Sequence, residues 1–319
     1  MKKVITLFLL LIILLSGTAC NSDEKPVDTG KINIVTTIFP YYDFSKNLSG
    51  DKADITLLLS PGSEPHSFEP SPSDIVAVEN CDIFIYNGGE SDKWVESILK
   101  STQNKNMKIL RMMDYVTLIK EHNSEHTHHH SEEGEEEFEH SNGHGYDEHI
   151  WTSIKNAKKL SSVISQALSD VDNENSNYYS VLENNYLNEL EELDKKFDNT
   201  VSNAVRDILV FGDRFPFLYF ATDYNLHYEA AFPGCSSKTE PNISTITHMI
   251  DFVREEDIPV VFYLEFSNGK TAKLIAEDTG AKTHQFSSCH NVTKEEFEIG
   301  VSYISLMEEN LKVLKEALS

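Results

Sequence analysis

The sequence predicts an α/β protein of two lobes, each a mainly parallel sheet flanked by helices, joined by one long rigid helix. Three observations carry this. Short apolar runs alternate with helical patterns, which implies βαβ units and parallel strands. Residues 171–204 contain no Gly or Pro, and Leu182, Tyr186, Leu190, Leu193 and Phe197 recur there at three- and four-residue steps, so the alternation is interrupted by one long helix. The strand–helix alternation then restarts. No internal repeat is visible in the residues themselves.

The first series opens with strand Lys31–Thr37 and helix Ile38–Leu48. Ala53–Leu59 is a second strand, running into the Ser60-Pro61-Gly62 turn. A helix over Ser73–Asn80 starts from an Asp74 or Ser73 cap. Ile83–Tyr86 reads as a buried strand, Trp94–Lys100 as a short helix and Lys108–Leu110 as a strand. Helices Ile154–Ser169 and Glu174–Ala204 follow. The apolar stripe of the second is core packing, and its length suits a bridge between lobes. The second series runs strand Ile208–Phe211, helix Pro216–Asp223, a strand containing His227–Ala231, helix Ile243–Glu255 and strand Val260–Leu264. Helix Ala272–Thr279, strand Lys282–Phe286 and helix Glu295–Ala317 close it.

Residues 1–19 are a signal peptide. Lys2 and Lys3 form its charged end, and the apolar Ile5–Leu15 run is too short for a comfortable membrane span. Small residues Ser16 to Ala19 precede Cys20, and polar residues follow it. That order resembles a bacterial lipoprotein signal, with Cys20 as the lipidated residue and the chain on the outer face of the cell membrane. Simple cleavage and secretion is the alternative. Residues 20–30 are then a lipid-anchored polar tether. The N-terminal lobe takes residues 31–170 with a His- and acid-rich loop at 121–148, the linking helix 171–204, and the C-terminal lobe 205–319.

The 319 residues carry a formal charge of −25, which excludes nucleic acid as a partner because phosphates need a basic surface. Hydrophobic content of 39% is enough for a real core. Export permits disulfides. Cys81 precedes an apolar strand and reads as a small buried hydrophobe. Cys235 and Cys289 each lie in a polar loop after a strand, and a bridge between them is expected; the rival is that one is a thiolate metal ligand.

Eight of the thirteen histidines fall between His122 and His149, in an acidic tract without Lys or Arg. It lacks the apolar residues to pack as a core element. Imidazole binds zinc and its transition-metal neighbours, so the composition reads as metal capture, against a flexible acidic linker with incidental His. His66 lies in a Pro-rich loop after a strand, where α/β proteins build binding crevices. His149 lies where apolar order resumes after the tract, and His290 in the Ser287–Asn291 loop. His227, His248 and His284 sit within strand or helix patterns and read as satisfied, non-ligating residues.

Several segments resemble the cluster A-I solute-binding proteins of zinc and manganese ABC importers, in particular the zinc-binding branch. They are TTIFPYYDFSKNLSGD at 36–51, PGSEPHSFEPSPSDI at 61–75, YNGGESDKW at 86–94, DEHIWTSIKNA at 147–157 and IAEDTGAK at 275–282. The resemblance covers about residues 32–317. It implies a metal site between the lobes, with His66 and His149 as the first two ligands. The family's third His falls near Arg214 and its fourth position, often an Asp, near Ser287, so two ligands must come from elsewhere. His290 is the first choice and Asp213 the second, the alternatives for Asp213 being an ion pair with Arg214 or a helix cap.

The resemblance implies a high-affinity extracytoplasmic protein that captures Zn2+ as cargo, works as a monomer, and delivers it to an ABC membrane permease driven by its ATPase. It is not an enzyme on this reading. The loop histidines His122, His126, His128, His129, His130, His140 and His144 would collect zinc weakly beside the tight site. The alternatives are a manganese-binding homologue, a surface adhesin or zinc buffer, and a secreted zinc hydrolase. Against the last, the chain has no H-E-x-x-H and no G-x-S-x-G.

Overall fold

The computed structural model describes residues 30–64, 68–121, 145–233 and 241–319. Cys20, His66, the seven loop histidines from His122 to His144, and Cys235 lie outside the described residues. Backbone proximity divides the chain into Met1–Lys31 and a compact unit, Ile32–Ser319.

Two four-stranded sheets form within the compact unit. The first holds β1 (Ile32–Thr36), β2 (Ala53–Leu57), β3 (Ile83–Tyr86) and β4 (Lys108–Arg111) in the order β2-β1-β3-β4. The second holds β5 (Ile208–Phe215), β6 (His227–Pro233), β7 (Val260–Tyr263) and β8 (Lys282–Gln285) in the order β6-β5-β7-β8. Every strand pairing is parallel, as the alternating pattern predicted. The two sheets therefore share one topology that the residues do not repeat. Parallel strands are covered on both faces, which is why β3 reads as an unbroken apolar run with Ile83, Phe84 and Ile85 fully buried.

The first lobe's helices are α1 (Phe39–Ser49), α2 (Pro72–Glu79) and α3 (Lys93–Ser101). Ser71, not Asp74 or Ser73, caps α2: its hydroxyl accepts from Asp74 N while the Asp74 carboxylate accepts from Ser71 N. Pro72 sets this register, since a proline fits the first helical position and Ser71 must then precede it. Next come α4 (Ile154–Val171) and α5 (Ser176–Ser202). Tyr179, Tyr186, Leu190, Leu193 and Phe197 of α5 are buried against α1, α4 and the closing helix Tyr303–Ala317. Each such side chain contributes roughly 1.5–3 kcal/mol when fully buried. One continuous apolar core runs from Ile32 through α5 to Leu318 and so underlies both sheets.

The second lobe carries α6 (Leu218–Tyr224), α7 (Ile243–Glu255), α8 (Lys270–Thr279), α9 (Lys294–Glu298) and α10 (Tyr303–Ala317). The single closing helix expected over 295–317 is two helices. Gly300 is left-handed at φ 76°, and Ser302 starts α10 through a capping box with Ser305. Strand β5 runs four residues past the expected Phe211, with a register shift between Phe211 and Arg214. Gly212 makes this possible: a Cβ there would lie 2.5 Å from the Ala272 backbone of α8.

Candidate metal centre

In each sheet the strand order reverses beside its first strand, and crevices open at the carboxyl ends of strands near such switch points. The loops after β2, β7 and β8, the end of β5 and the segment before the 3-10 turn Ile150–Thr152 converge there. Glu64, His149, Arg214, Glu265, Ser288 and His290 line the resulting cavity of about 30 Å³, room for one or two water-sized particles.

His149 is placed by a series of buried anchors. Ile150 and Trp151 after it are fully buried. Before it, Asp147 and Glu148 are buried charges with defined partners. Asp147 Oδ1 accepts from His149 N at 2.8 Å and lies 3.2 Å from His149 Nδ1. A carboxylate only accepts, so the neutral ring carries its hydrogen on Nδ1 and presents Nε2 as its acceptor nitrogen. The Glu148 carboxylate accepts from the backbone N–H groups of Glu90 and Ser91. Gly89 is required beneath it: a Cβ there would sit 2.7 Å from the Glu148 carboxyl carbon, and its φ is 83°.

The described ends of the His-rich loop form a neck. Lys120 and Tyr146 make an antiparallel bridge, Glu121 N donates to Gly145 O at 3.1 Å, and Asp147 N donates to Ile119 O at 2.9 Å. Tyr219, on α6 of the other lobe, closes it. Its hydroxyl accepts from Ile119 N at 3.1 Å and donates to Asp147 O at 2.9 Å.

His290 reaches the cavity from the loop after β8. Consecutive serine turns shape this loop: Ser287 Oγ accepts from Cys289 N and Ser288 Oγ from His290 N. The Glu265 carboxylate accepts from Ser288 N at 2.9 Å and from Ser288 Oγ at 2.6 Å. Contacts with the first lobe hold the loop in place: Trp151 Nε1 donates to Ser288 O at 2.8 Å, and Asn291 Nδ2 donates to Ser60 O and Ser63 O at 3.0 Å. The rings of His149 and His290 are thereby brought to 5.8 Å between centroids at 86°, with Trp151 against His290 at 4.7 Å.

Burial lifts the Glu265 carboxyl above its usual range, offset in part by the Ser288 hydrogen bonds. For His149, burial favours the neutral ring, but the Asp147 carboxylate and then Glu148 outweigh it, and the imidazole holds a proton more firmly than usual. Among the described residues no group of three or more His, Cys, Asp or Glu is placed to hold a metal by itself. The two imidazoles and the Glu265 carboxylate at one cavity are nonetheless the donor types that suit a zinc-like dication.

Of the expected ligands, the described structure brings His149 and His290 together. Asp213 does not line that cavity. The Asp213 carboxylate accepts from Arg214 N at 2.9 Å and Leu264 N at 3.4 Å and borders a separate cavity beside Lys270. Arg214, the next residue, lines the cavity that holds the histidines. Of the expected Cys235–Cys289 pair, Cys235 lies outside the described residues, and Cys289 is a free thiol, fully buried. Its left-handed backbone, φ 59°, turns the side chain into the interior, where burial pushes the thiol well above its usual range. Cys81 is a buried thiol, as expected. His227, His248 and His284 lie instead near Asp207, Glu229 and Glu316. Sequence reasoning missed Glu64 and Glu265. Glu265 follows the apolar strand Val260–Tyr263, so the strand-end rule that selected His66 also points to it.

Two lobes of one topology thus meet around a cavity at their strand ends. The chain belongs to the family described as zinc-uptake complex component A, periplasmic, whose profile matches residues 34–317. It is 32% identical over 319 residues to the zinc-binding lipoprotein AdcA of Streptococcus pneumoniae (strain ATCC BAA-255 / R6), covering 99% of this chain but 61% of that one. The chain thus spans about three-fifths of the length of that relative. It is 30% identical over 303 residues to the high-affinity zinc uptake system protein ZnuA of Bacillus subtilis (strain 168), covering 95% of this chain and 92% of the relative. The Zn(II)-bound ZnuA-like domain of Streptococcus pneumoniae AdcA superposes with a TM-score of 0.74 at 28% identity, covering 91% of this chain and 99% of that domain.

Proposed function

We propose that this protein captures Zn2+ outside the cytoplasm and hands it to the permease of an ABC importer. The observation that carries the reading is the meeting of the His149 and His290 imidazoles at one cavity. The matched family supports it, since its description is that of a zinc-uptake component. An imidazole-rich site favours zinc over manganese, which prefers more oxygen. His149 is the pre-oriented ligand, its Nδ1 committed to Asp147. His290 supplies the second imidazole, and His66, from the loop after β2, supplies a third. The loop histidines His122 to His144 gather zinc weakly nearby.

The same reading makes Cys20 the lipidated residue, holding the protein on the outer face of the membrane as a monomer. The permease and its ATPase are its partners. It binds and releases its cargo and does no chemistry on it. Among the described residues no helix is long and apolar enough to cross a membrane.

The test is titration of metal-stripped protein with zinc by calorimetry, beside His66→Ala, His149→Ala and His290→Ala. Loss of the tight phase in each variant supports the reading. Tight zinc binding that survives all three substitutions overturns it.

A further inference from the structure

Arg214 lines the same cavity as His149 and His290. Its Nη2 lies 3.4 Å from Glu64 Oε1, a link between the end of β5 and the loop after β2. The Arg214 side chain is only 24% exposed. A guanidinium does not lose its proton in a protein. This cavity therefore holds a permanent positive charge beside two imidazoles and two carboxylates, in a space of about 30 Å³.

A dication entering that space meets two effects from one residue, both acting against its binding. It is repelled by the guanidinium at short range in partly desolvated surroundings, where charge interactions are strong. It also competes with the guanidinium for Glu64. Resting on the zinc-capture reading above, we propose that Arg214 is the residue that sets cargo affinity downward: a resident cation that pairs with Glu64 across the cavity when the site is empty and speeds metal release when it is full. Arg214 is then not a ligand and not a structural bystander. Its charge tunes how readily the site lets its cargo go.

The experiment measures Zn2+ affinity by competition with a chromogenic chelator, and zinc dissociation by stopped flow. It uses the metal-stripped protein, Arg214→Gln and Arg214→Lys, with circular dichroism checking that each variant folds. Glutamine keeps polarity without charge, and lysine keeps the charge. Zinc should bind Arg214→Gln at least tenfold more tightly, about 1.4 kcal/mol, with dissociation slowed in proportion. Arg214→Lys should stay within about threefold of the parent. A double-mutant cycle with Glu64→Gln reads the same pairing without relying on one variant: Glu64→Gln should weaken zinc binding less in the parent, where Arg214 holds the carboxylate, than in Arg214→Gln. Arg214→Gln binding zinc no more tightly than the parent overturns the inference, as does Arg214→Lys behaving like Arg214→Gln. If the parent binds zinc in a His149-dependent way while the Arg214 variants change nothing, this inference alone fails. If zinc binding by the parent does not depend on His149, the capture reading itself fails.

Discussion

The Asp147 carboxylate lies 3.2 Å from Nδ1 of His149, and both side chains are 2% exposed. A histidine whose outer nitrogen is committed to a carboxylate is fixed in tautomer and ring orientation before any ligand arrives. Asp147→Asn keeps the shape and removes the charge. Zinc affinity should fall about 10- to 100-fold, with the melting temperature of the metal-free protein changed by only a few degrees. Calorimetry alongside thermal melts checks this. Unchanged zinc affinity would show that Asp147 does not orient His149 for metal.

The paired ends of the His-rich loop suggest where to cut it. Glu121 N donates to Gly145 O, so residues 122–144 can be replaced by Asn-Gly, the dipeptide that best turns a tight antiparallel pair. The expected product keeps one tight zinc site and loses the additional weakly bound zinc. Metal counting by mass spectrometry after dialysis decides it. Loss of the tight site would show that the loop supplies its ligands.

Tyr219 tests how the second lobe supports the neck. In Tyr219→Phe the hydroxyl between Ile119 N and Asp147 O is gone. Stability should drop by about 1–2 kcal/mol for the lost hydrogen bonds. The Ile119 amide should also exchange with deuterium faster than in the parent. An unchanged Ile119 exchange rate would mean the neck is held without Tyr219.

Two buried carboxyls should make the protein less stable as the solution becomes neutral. Burial pushes Asp43 and Asp92 from the usual 3.8 up to about 6, against the opposing pull of backbone N–H groups of Tyr303 and of Gly88 and Asn87. A carboxyl raised by folding stabilises the fold when protonated. That contribution is fully present below about 3.8 and is lost as pH rises through about 6. Asp43→Asn should therefore be more stable than the parent at pH 7.5, by up to about 3 kcal/mol, and the difference should vanish below pH 4. Denaturant unfolding across that range is the measurement. A difference that grows toward acid would reverse the sign and refute it.

Cys289 should be inert in the native protein. It is free, fully buried and raised well above its usual range by burial. Iodoacetamide followed by peptide mapping should find it unmodified until denaturant is added. A non-reduced peptide joining Cys235 to Cys289 would contradict this.

Legibility in the sequence followed the range of the signal. Helix Ile243–Glu255 and strand Ile83–Tyr86 were read to the residue, because their caps and apolar periods are local. The break at Gly300 and the cap at Ser71 were also local, but a continuous apolar period hid the first and Pro72 decided the second. Strand β5 ran past Phe211 because Gly212 accepts a close helix backbone, a contact made by Ala272, 60 positions away. His149 was read from its place at the edge of the acidic tract and His290 from a loop after a strand, and the fold sets their rings side by side. Glu265 was missed because a lone glutamate after a strand looks like a solvated charge until Ser288 is seen donating to it twice.

The sequence by itself determined the α/β class, the two series of parallel strands, the long helix between them and an imidazole-rich chemistry. Those follow from periodicity and composition, which need only neighbouring residues. Tertiary structure decided which side chains share a cavity. It set Arg214 on the histidine cavity and Asp213 on a separate one, where the distant Leu264 N–H donates to the Asp213 carboxylate. It also carried His290 to His149 through Trp151 and Asn291, hydrogen bonds between residues more than 130 positions apart that no local pattern records.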